Sequence, residues 1–240
     1  MSAPLVRRSP AHPATVRGSV ELTPRMRRVT LHSDALVGLL LRPAQDVELL
    51  LREPSGRRVK RRYTISGHRP DTGEIDVDVF LHGDSPGSVW GATAAPGDAL
   101  EFQGPRGKLS VTSAPWHLLC GDESALPAIV AICAGLPADE PAIAVIEVTD
   151  AADELPVNAT VHWVHRGDTP PGTPAVLTGA LSALSLPDGP GHGYLMGETR
   201  TMVAARALLE ERGMQHDDIF VKGYWNIGRP DRIAGRVPGS

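Results

Sequence analysis

The chain has 240 residues, enough for one large domain or two small ones and for a substantial buried core. Its formal net charge of −4 argues against a general nucleic-acid binder, and its two cysteines cannot hold an iron–sulfur cluster of the usual four-thiolate kind. Aromatics make up only 4% while 25 glycines and 22 prolines mark many turns, so the core is expected to be aliphatic, and any redox function needs a bound cofactor.

Met1 to Thr15 carries Arg7 and Arg8 but no apolar run of the signal-peptide kind, and no stretch reaches the length of a membrane span. A soluble, cytoplasmic protein without membrane insertion is expected. From Thr15 to about Val111 the signals are those of strands. Val16–Leu22 and Met26–His32 are rich in β-branched residues and are joined by a turn at Thr23-Pro24. Val47–Leu51 is a short apolar run read as a buried strand. Arg61–Ser66 is the next strand, and Arg69-Pro70-Asp71-Thr72-Gly73 has turn chemistry. Ile75, Val77, Val79 and Leu81 then alternate with Asp76, Asp78, Phe80 and His82, predicting a half-buried strand in a hairpin with Arg61–Ser66. Pro96-Gly97-Asp98 turns into Ala99–Gln103, and Gly104-Pro105-Arg106-Gly107 ends that strand. Short strands with regular turns predict a small antiparallel barrel.

Past Val111–Trp116 the pattern changes. His117–Cys120 reads as an apolar strand, Gly121–Ser124 as a loop, and the residues to Ala134 as a helix stopped by Gly135. Ala142–Val148, Thr160–Val164, Tyr194–Met196 and Ile219–Lys222 read as further strands, Ala180–Leu184 as a short helix, and Thr199–Arg212 as a helix ended by Gly213. Met202, Ala205 and Leu209 share one face of that last helix. Strands alternating with helices imply a mostly parallel α/β sheet. The expected organisation is therefore two domains, 1–113 and 114–240, divided near Ser113-Ala114-Pro115. Cys120 and Cys133 lie in apolar runs and read as buried free thiols. His162, His165 and His192 lack the spacing of a zinc site.

In a strand, residues two apart share a face, so Arg61 and Tyr63 point one way and Arg62 and Thr64 the other. A cation, a ring and a hydroxyl on one strand form the surface a flavin dinucleotide requires. His82-Gly83, then Ser85-Pro86-Gly87-Ser88, reads as a strand entering a helix, whose free amides can hold an anion. Alone, each of these reads more readily as a surface strand or turn.

Arg61–Ser66, His82–Trp90, Gly121–Ile129 and Lys222-Gly223-Tyr224-Trp225, in this order and at these separations, resemble the siderophore-interacting protein family over about Val16 to Gly228. Its members are FAD-containing ferric-siderophore reductases related to the ferredoxin–NADP reductase superfamily. The resemblance implies an FAD-binding barrel followed by an NAD(P)H-binding-like α/β domain. It places the Tyr63 ring on the isoalloxazine, the Thr64 backbone or hydroxyl at N5, and Arg61 on the pyrophosphate with Gly83, Gly87 and Ser88, with His82 structural or beside the cofactor. Where the family often carries an arginine two residues after the threonine, this chain has Ser66; Arg62 or Arg69 is the expected substitute. Asp122, Glu123 and Ser124 are expected to line the cleft facing the nicotinamide or flavin ring, since acidic side chains there repel a pyrophosphate. Arg166 is read as touching the adenosine part of NAD(P)H or as a solvated arginine. Gly197-Glu198 matches the family's Gly-Glu, although Tyr194-Leu195-Met196 lacks the tryptophan that often precedes it. Lys222, with Tyr224 and Trp225, is the first candidate for attracting an anionic iron chelate, and Arg106 the second. The implied function is FAD-dependent reduction of a ferric siderophore with electrons from NADH, NADPH or ferredoxin. The alternatives are a general NAD(P)H:flavin or ferredoxin-type reductase and a flavin-free siderophore-binding protein.

Overall fold

The computed structural model describes residues 10–53, 55–107 and 109–228. Six strands close an antiparallel barrel in the order β1-β2-β5-β4-β3-β6: β1 Ala11–Thr23, β2 Met26–His32, β3 Asp46–Arg52, β4 Arg58–Arg69, β5 Glu74–Phe80 and β6 Ala99–Arg106. One helix, α1 (Pro86–Thr93), lies between β5 and β6. The second half is a five-stranded parallel sheet in the order β11-β10-β7-β8-β9. Its strands are β7 His117–Gly121, β8 Ala142–Val148, β9 Thr160–His165, β10 His192–Glu198 and β11 Ile219–Trp225. Its helices are α2 Leu126–Gly135, α3 Pro174–Ala183 and α4 Thr199–Glu211. The segment between β6 and β7, which contains residue 113, is strapped to the sheet through Thr112 N, which donates to Tyr194 Oη at 3.2 Å.

The barrel interior is mostly aliphatic, with Val29, Leu31, Leu49, Ile75 and Val77 fully buried around Phe102. The sheet has an apolar layer on each face, as alternation along a doubly covered strand requires. Leu118, Cys120 and Val145 meet Leu177, Met202 and Leu209 of α3 and α4, whereas Leu119, Ala144 and Ile146 meet Ile129 and Ile132 of α2. Met26 and Ala44 of the barrel half join the α2-side layer, so this one apolar layer is shared by both halves. Cys120 and Cys133 are both free and buried, and burial pushes the Cys133 thiol up to about 12.

Two expectations need correction. The polar face of β5 is not open to solvent: Asp76 and Asp78 are buried. Arg69 forks onto Asp76 (2.9 and 2.8 Å) and Arg28 onto Asp78 (2.7 and 2.8 Å), so paired guanidiniums cover that face. The helix expected at Ala180–Leu184 starts six residues earlier, at Pro174. Pro174 opens the helix, where a proline gives up no hydrogen bond.

Candidate functional site

β7 comes first in the chain but lies at the middle of the sheet. β8 and β9 extend to one side of it, β10 and β11 to the other. The crevice between β7 and β10 at their C-terminal ends is thus the topological switch point, where open α/β sheets take ligands. The barrel strand β4 and helix α1 supply a second candidate surface.

On β4, Arg61 and Tyr63 share a face, and the start of α1 is laid against it. A Cβ added at Gly87 would stand 3.5 Å from Tyr63 Cζ and 3.6 Å from Arg61 Cγ, and would collide with the Tyr63 hydroxyl. The Tyr63 ring packs beside Trp90 at 5.9 Å between centroids, and burial raises its hydroxyl pKa against the pull of Arg61. Ser85 caps α1 by accepting from Ser88 N at 3.3 Å, with Pro86 in the first turn. The Ser88 hydroxyl accepts from His82 N at 2.9 Å, so it organises the loop. Gly83 has φ +57° and no atom within 4 Å of where a Cβ would be, which leaves open space beside the helix start. The His82 ring stacks on Phe80 at 5.6 Å, and burial followed by the charge of Arg61 lowers its pKa, so it is neutral at pH 7.

Thr64 points the other way, with Arg62, and is the cross-strand neighbour of Asp46 on β3. Ser66 Oγ donates to Asp76 O at 3.3 Å. Of the two substitute cations, Arg69 is forked onto Asp76 and Glu74, and Arg62 stands 3.7 Å from Asp46.

At the switch point, Asp122, Ser124, Gly197, Glu198 and Trp225 come together. The buried Asp122 carboxylate accepts from Ser124 N (3.0 Å), Glu198 N (2.9 Å) and Trp225 Nε1 (2.9 Å), and from Ser124 Oγ at 2.5 Å. Ala125 N and Leu126 N donate to Asp122 O at 2.9 and 3.1 Å. The amides from Ser124 to Leu126 are therefore all taken by Asp122, and Pro127 has none. A Cβ at Gly197, whose φ is +149°, would stand 2.7 Å from Asp122 Oδ2, so only glycine leaves room for this carboxylate. Glu198 caps α4 by accepting from Thr201 N at 2.8 Å.

Glu123 and Arg166 form a separate buried group. Arg166 is 7% exposed and so is not solvated; its guanidinium meets Glu123 at 2.5 Å and Thr149 at 2.7 Å, with Glu147 at 3.7 Å. Glu147 Oε1 makes no hydrogen bond among the described residues. Burial first, then the charge of Asp122, pushes the Glu147 carboxyl up to about 7 against the opposing Arg166.

Lys222 spans the two halves: its Nζ donates to Asp46 Oδ2 of β3 at 3.1 Å while lying 4.9 Å over the Tyr224 ring. Arg106 stands 3.9 Å from Asp46 and 2.9 Å from Glu48. The acids Asp46 and Glu48, which organise this face, went unread in the sequence. The only signal was their alternation with Val47 and Leu49; the strand register sets them opposite Thr64 and Arg62.

An antiparallel barrel joined to a five-stranded parallel sheet defines the class: a fold of the ferredoxin–NADP reductase type. The ferredoxin reductase in carbazole 1,9a-dioxygenase superimposes with a TM-score of 0.71 at 18% identity, over 90% of this chain and 69% of that one, which establishes the fold alone. Residues 52–109 match the siderophore-interacting FAD-binding domain and residues 114–228 the siderophore-interacting protein family. The ferric vibriobactin reductase ViuB of Vibrio cholerae is 30% identical over 201 residues, 80% of this chain and 73% of ViuB. The crystal structure of a siderophore utilization protein from T. fusca superimposes with a TM-score of 0.85 at 32% identity, covering 93% and 95% of the two chains. The chain belongs to the siderophore-interacting protein family.

Proposed function

We propose that this protein is an FAD-dependent reductase of ferric siderophores. The observation that carries the reading is the pairing of Arg61 and Tyr63 with the glycine-opened start of α1, inside the stretch that matches the FAD-binding domain. The residues fit the cofactor on their own terms. An aromatic wall, a guanidinium and a helix N-terminus with open space at Gly83 are the parts that hold a flat ring and a pyrophosphate.

Tyr63 would provide the wall for the ring, the Thr64 backbone would neighbour it, and Arg61 with the Gly87 end of α1 would neutralise the phosphates. When bound, FAD supplies a carrier that accepts two electrons as hydride and releases them singly. Lys222, Arg106 and Arg62 draw an anionic chelate to the face beside Thr64. One electron converts Fe³⁺ to Fe²⁺, which hard oxygen donors hold less tightly and exchange faster. The activity named for ViuB is the same reaction class. None of these steps needs a nucleophile or a general base, so the neutral His82 is assigned to the loop and not to proton transfer.

For the electron donor, the filled amides of the β7–α2 turn are the relevant observation. A dinucleotide pyrophosphate would have to displace Asp122 to use them, so the arrangement favours a donor that does not need this turn. Ferredoxin, or a nicotinamide held by its ring end near Ser124, meets that condition; a cytoplasmic setting supplies both. The test is anaerobic reduction of FAD-loaded protein by NADH, NADPH and reduced ferredoxin in turn, followed by a ferric chelate. Bleaching of the flavin band by at least one donor and its recovery on adding the chelate are expected. A flavin that is reduced but never reoxidised by ferric chelates would leave the general reductase reading in its place.

A further inference from the structure

The cationic face formed by β3, β4, β6 and Lys222 of β11 rests on two acids to which the reaction as described gives no task. Asp46 and Glu48 are 4% and 7% exposed, whereas Lys60, Arg62, Arg106 and Lys222 above them are 51%, 35%, 33% and 24% exposed. A negative layer thus lies under a positive one. Asp46 is central to it: it is the register partner of Thr64 on β4 and of Arg106 on β6, and it draws Lys222 across from the other half. Arg62 and Arg106 approach Asp46 Oδ1 only to 3.7 and 3.9 Å, and this buried oxygen makes no hydrogen bond among the described residues. Glu48 takes Lys60 at 2.8 Å and Arg106 at 2.9 Å. A buried carboxylate left partly unsatisfied costs stability, which an apolar side chain on the same strand would not.

We propose that Asp46 is an internal counter-ion that limits how tightly this face holds an anionic ferric chelate. The inference rests on the function proposed above. An anionic ligand arriving from solvent meets donors already drawn inward by Asp46 and Glu48, and must compete for them. Four cations over two carboxylates leave a positive excess on a chain whose net charge is −4, enough to attract the ligand while letting it leave. Removing Asp46 raises that excess and turns Lys222 outward. A chelate without net charge has nothing to gain from the change.

The test compares binding of a trianionic ferric tris-catecholate with that of a neutral ferric trihydroxamate to FAD-loaded protein, read by protein fluorescence at several salt concentrations. Asp46→Asn is expected to tighten tris-catecholate binding about three- to tenfold and steepen its salt dependence, with the trihydroxamate changed by less than about twofold. Asp46→Glu, which keeps the charge, is expected to restore wild-type affinity. Should Asp46→Asn lose FAD, Glu48→Gln carries the same test. It removes the charge that draws Arg106 inward and that shares Lys60 with Gln103, without touching the Lys222 contact, with an expected gain of about two- to fourfold. Unchanged or weaker tris-catecholate binding in a folded variant, or an equal change for both chelates, overturns the proposal. Binding is measured without any electron donor, so this failure is distinct from a wild-type protein that never reduces a ferric chelate.

Discussion

At Gly87 a single hydrogen in place of a methyl decides whether α1 can lie on Tyr63. Alanine there would push either the helix or the ring, and both belong to the proposed flavin cradle. Tyr63→Ala removes the wall itself. Stacking of a planar ring on an aromatic side chain contributes about 1–3 kcal/mol, so this variant is expected to raise the FAD dissociation constant about ten- to a hundredfold. Gly87→Ala should weaken it in the same direction, and titration of apoprotein by flavin fluorescence measures both. Undiminished cofactor retention in Tyr63→Ala would contradict the placement of the ring. The face shared by Arg61 and Tyr63 was legible because a strand has period two. The fate of the cations around Ser66 was not, because Arg69 and Arg62 are tied to acids on β5 and β3 that no local pattern connects to β4.

Among the elements, the C-terminal ends of β7, β8 and β9 concentrate buried charge around one guanidinium. Asp122, Glu123 and Arg166 face Glu147, whose carboxyl is pushed up to about 7 by burial and by Asp122. An acid with a raised folded-state pKa binds its proton more tightly in the native state than in the unfolded chain. Its contribution is therefore fully present below the unfolded value near 4.5 and is lost as pH rises through about 7. Glu147→Gln keeps the neutral form at every pH, so it should match wild type near pH 4 and exceed it by ~3 kcal/mol near pH 8. Subtracting the two stability curves, taken by urea unfolding across this range, removes the opposite trend of acids such as Glu48 and Asp76, whose pKa values hydrogen-bonded cations lower against burial. Parallel curves would rule the assignment out. The order of strands and helices here could be read from apolar runs and turns, since each strand is bounded by residues that cannot continue it. The interior chemistry could not: Arg166 follows a strand end and looks solvated until the fold brings Glu123 and Thr149 beside it.

For the molecule as a whole, the barrel and the sheet each have an apolar core of their own, so their docking is a separate energetic matter. Two polar clamps flank the shared layer of Met26, Ala44 and α2: Lys222 on Asp46 at one place, and the β1–β2 turn on the loop after β8 at another. In the second clamp Arg25 meets Asp153 at 2.6 Å and Asp150 at 3.2 Å, and Thr23 donates to Asp153 at 3.4 Å. Asp150 is half exposed and contributes little, but Asp153 is 3% exposed and depends on its partner. Arg25→Ala would leave that carboxylate buried with Thr23 Oγ1 as its remaining cross-half donor, at a cost of about 1–3 kcal/mol. For a chain of this size that lowers Tm by about 3–10 °C. Because the two cores persist, the loss should fall on the coupling between them. Calorimetry is then expected to give a broader transition, with a calorimetric enthalpy larger than the van't Hoff value. A sharp two-state transition at the wild-type Tm would mean that the apolar layer around Met26 and Ala44 holds the halves together without this clamp.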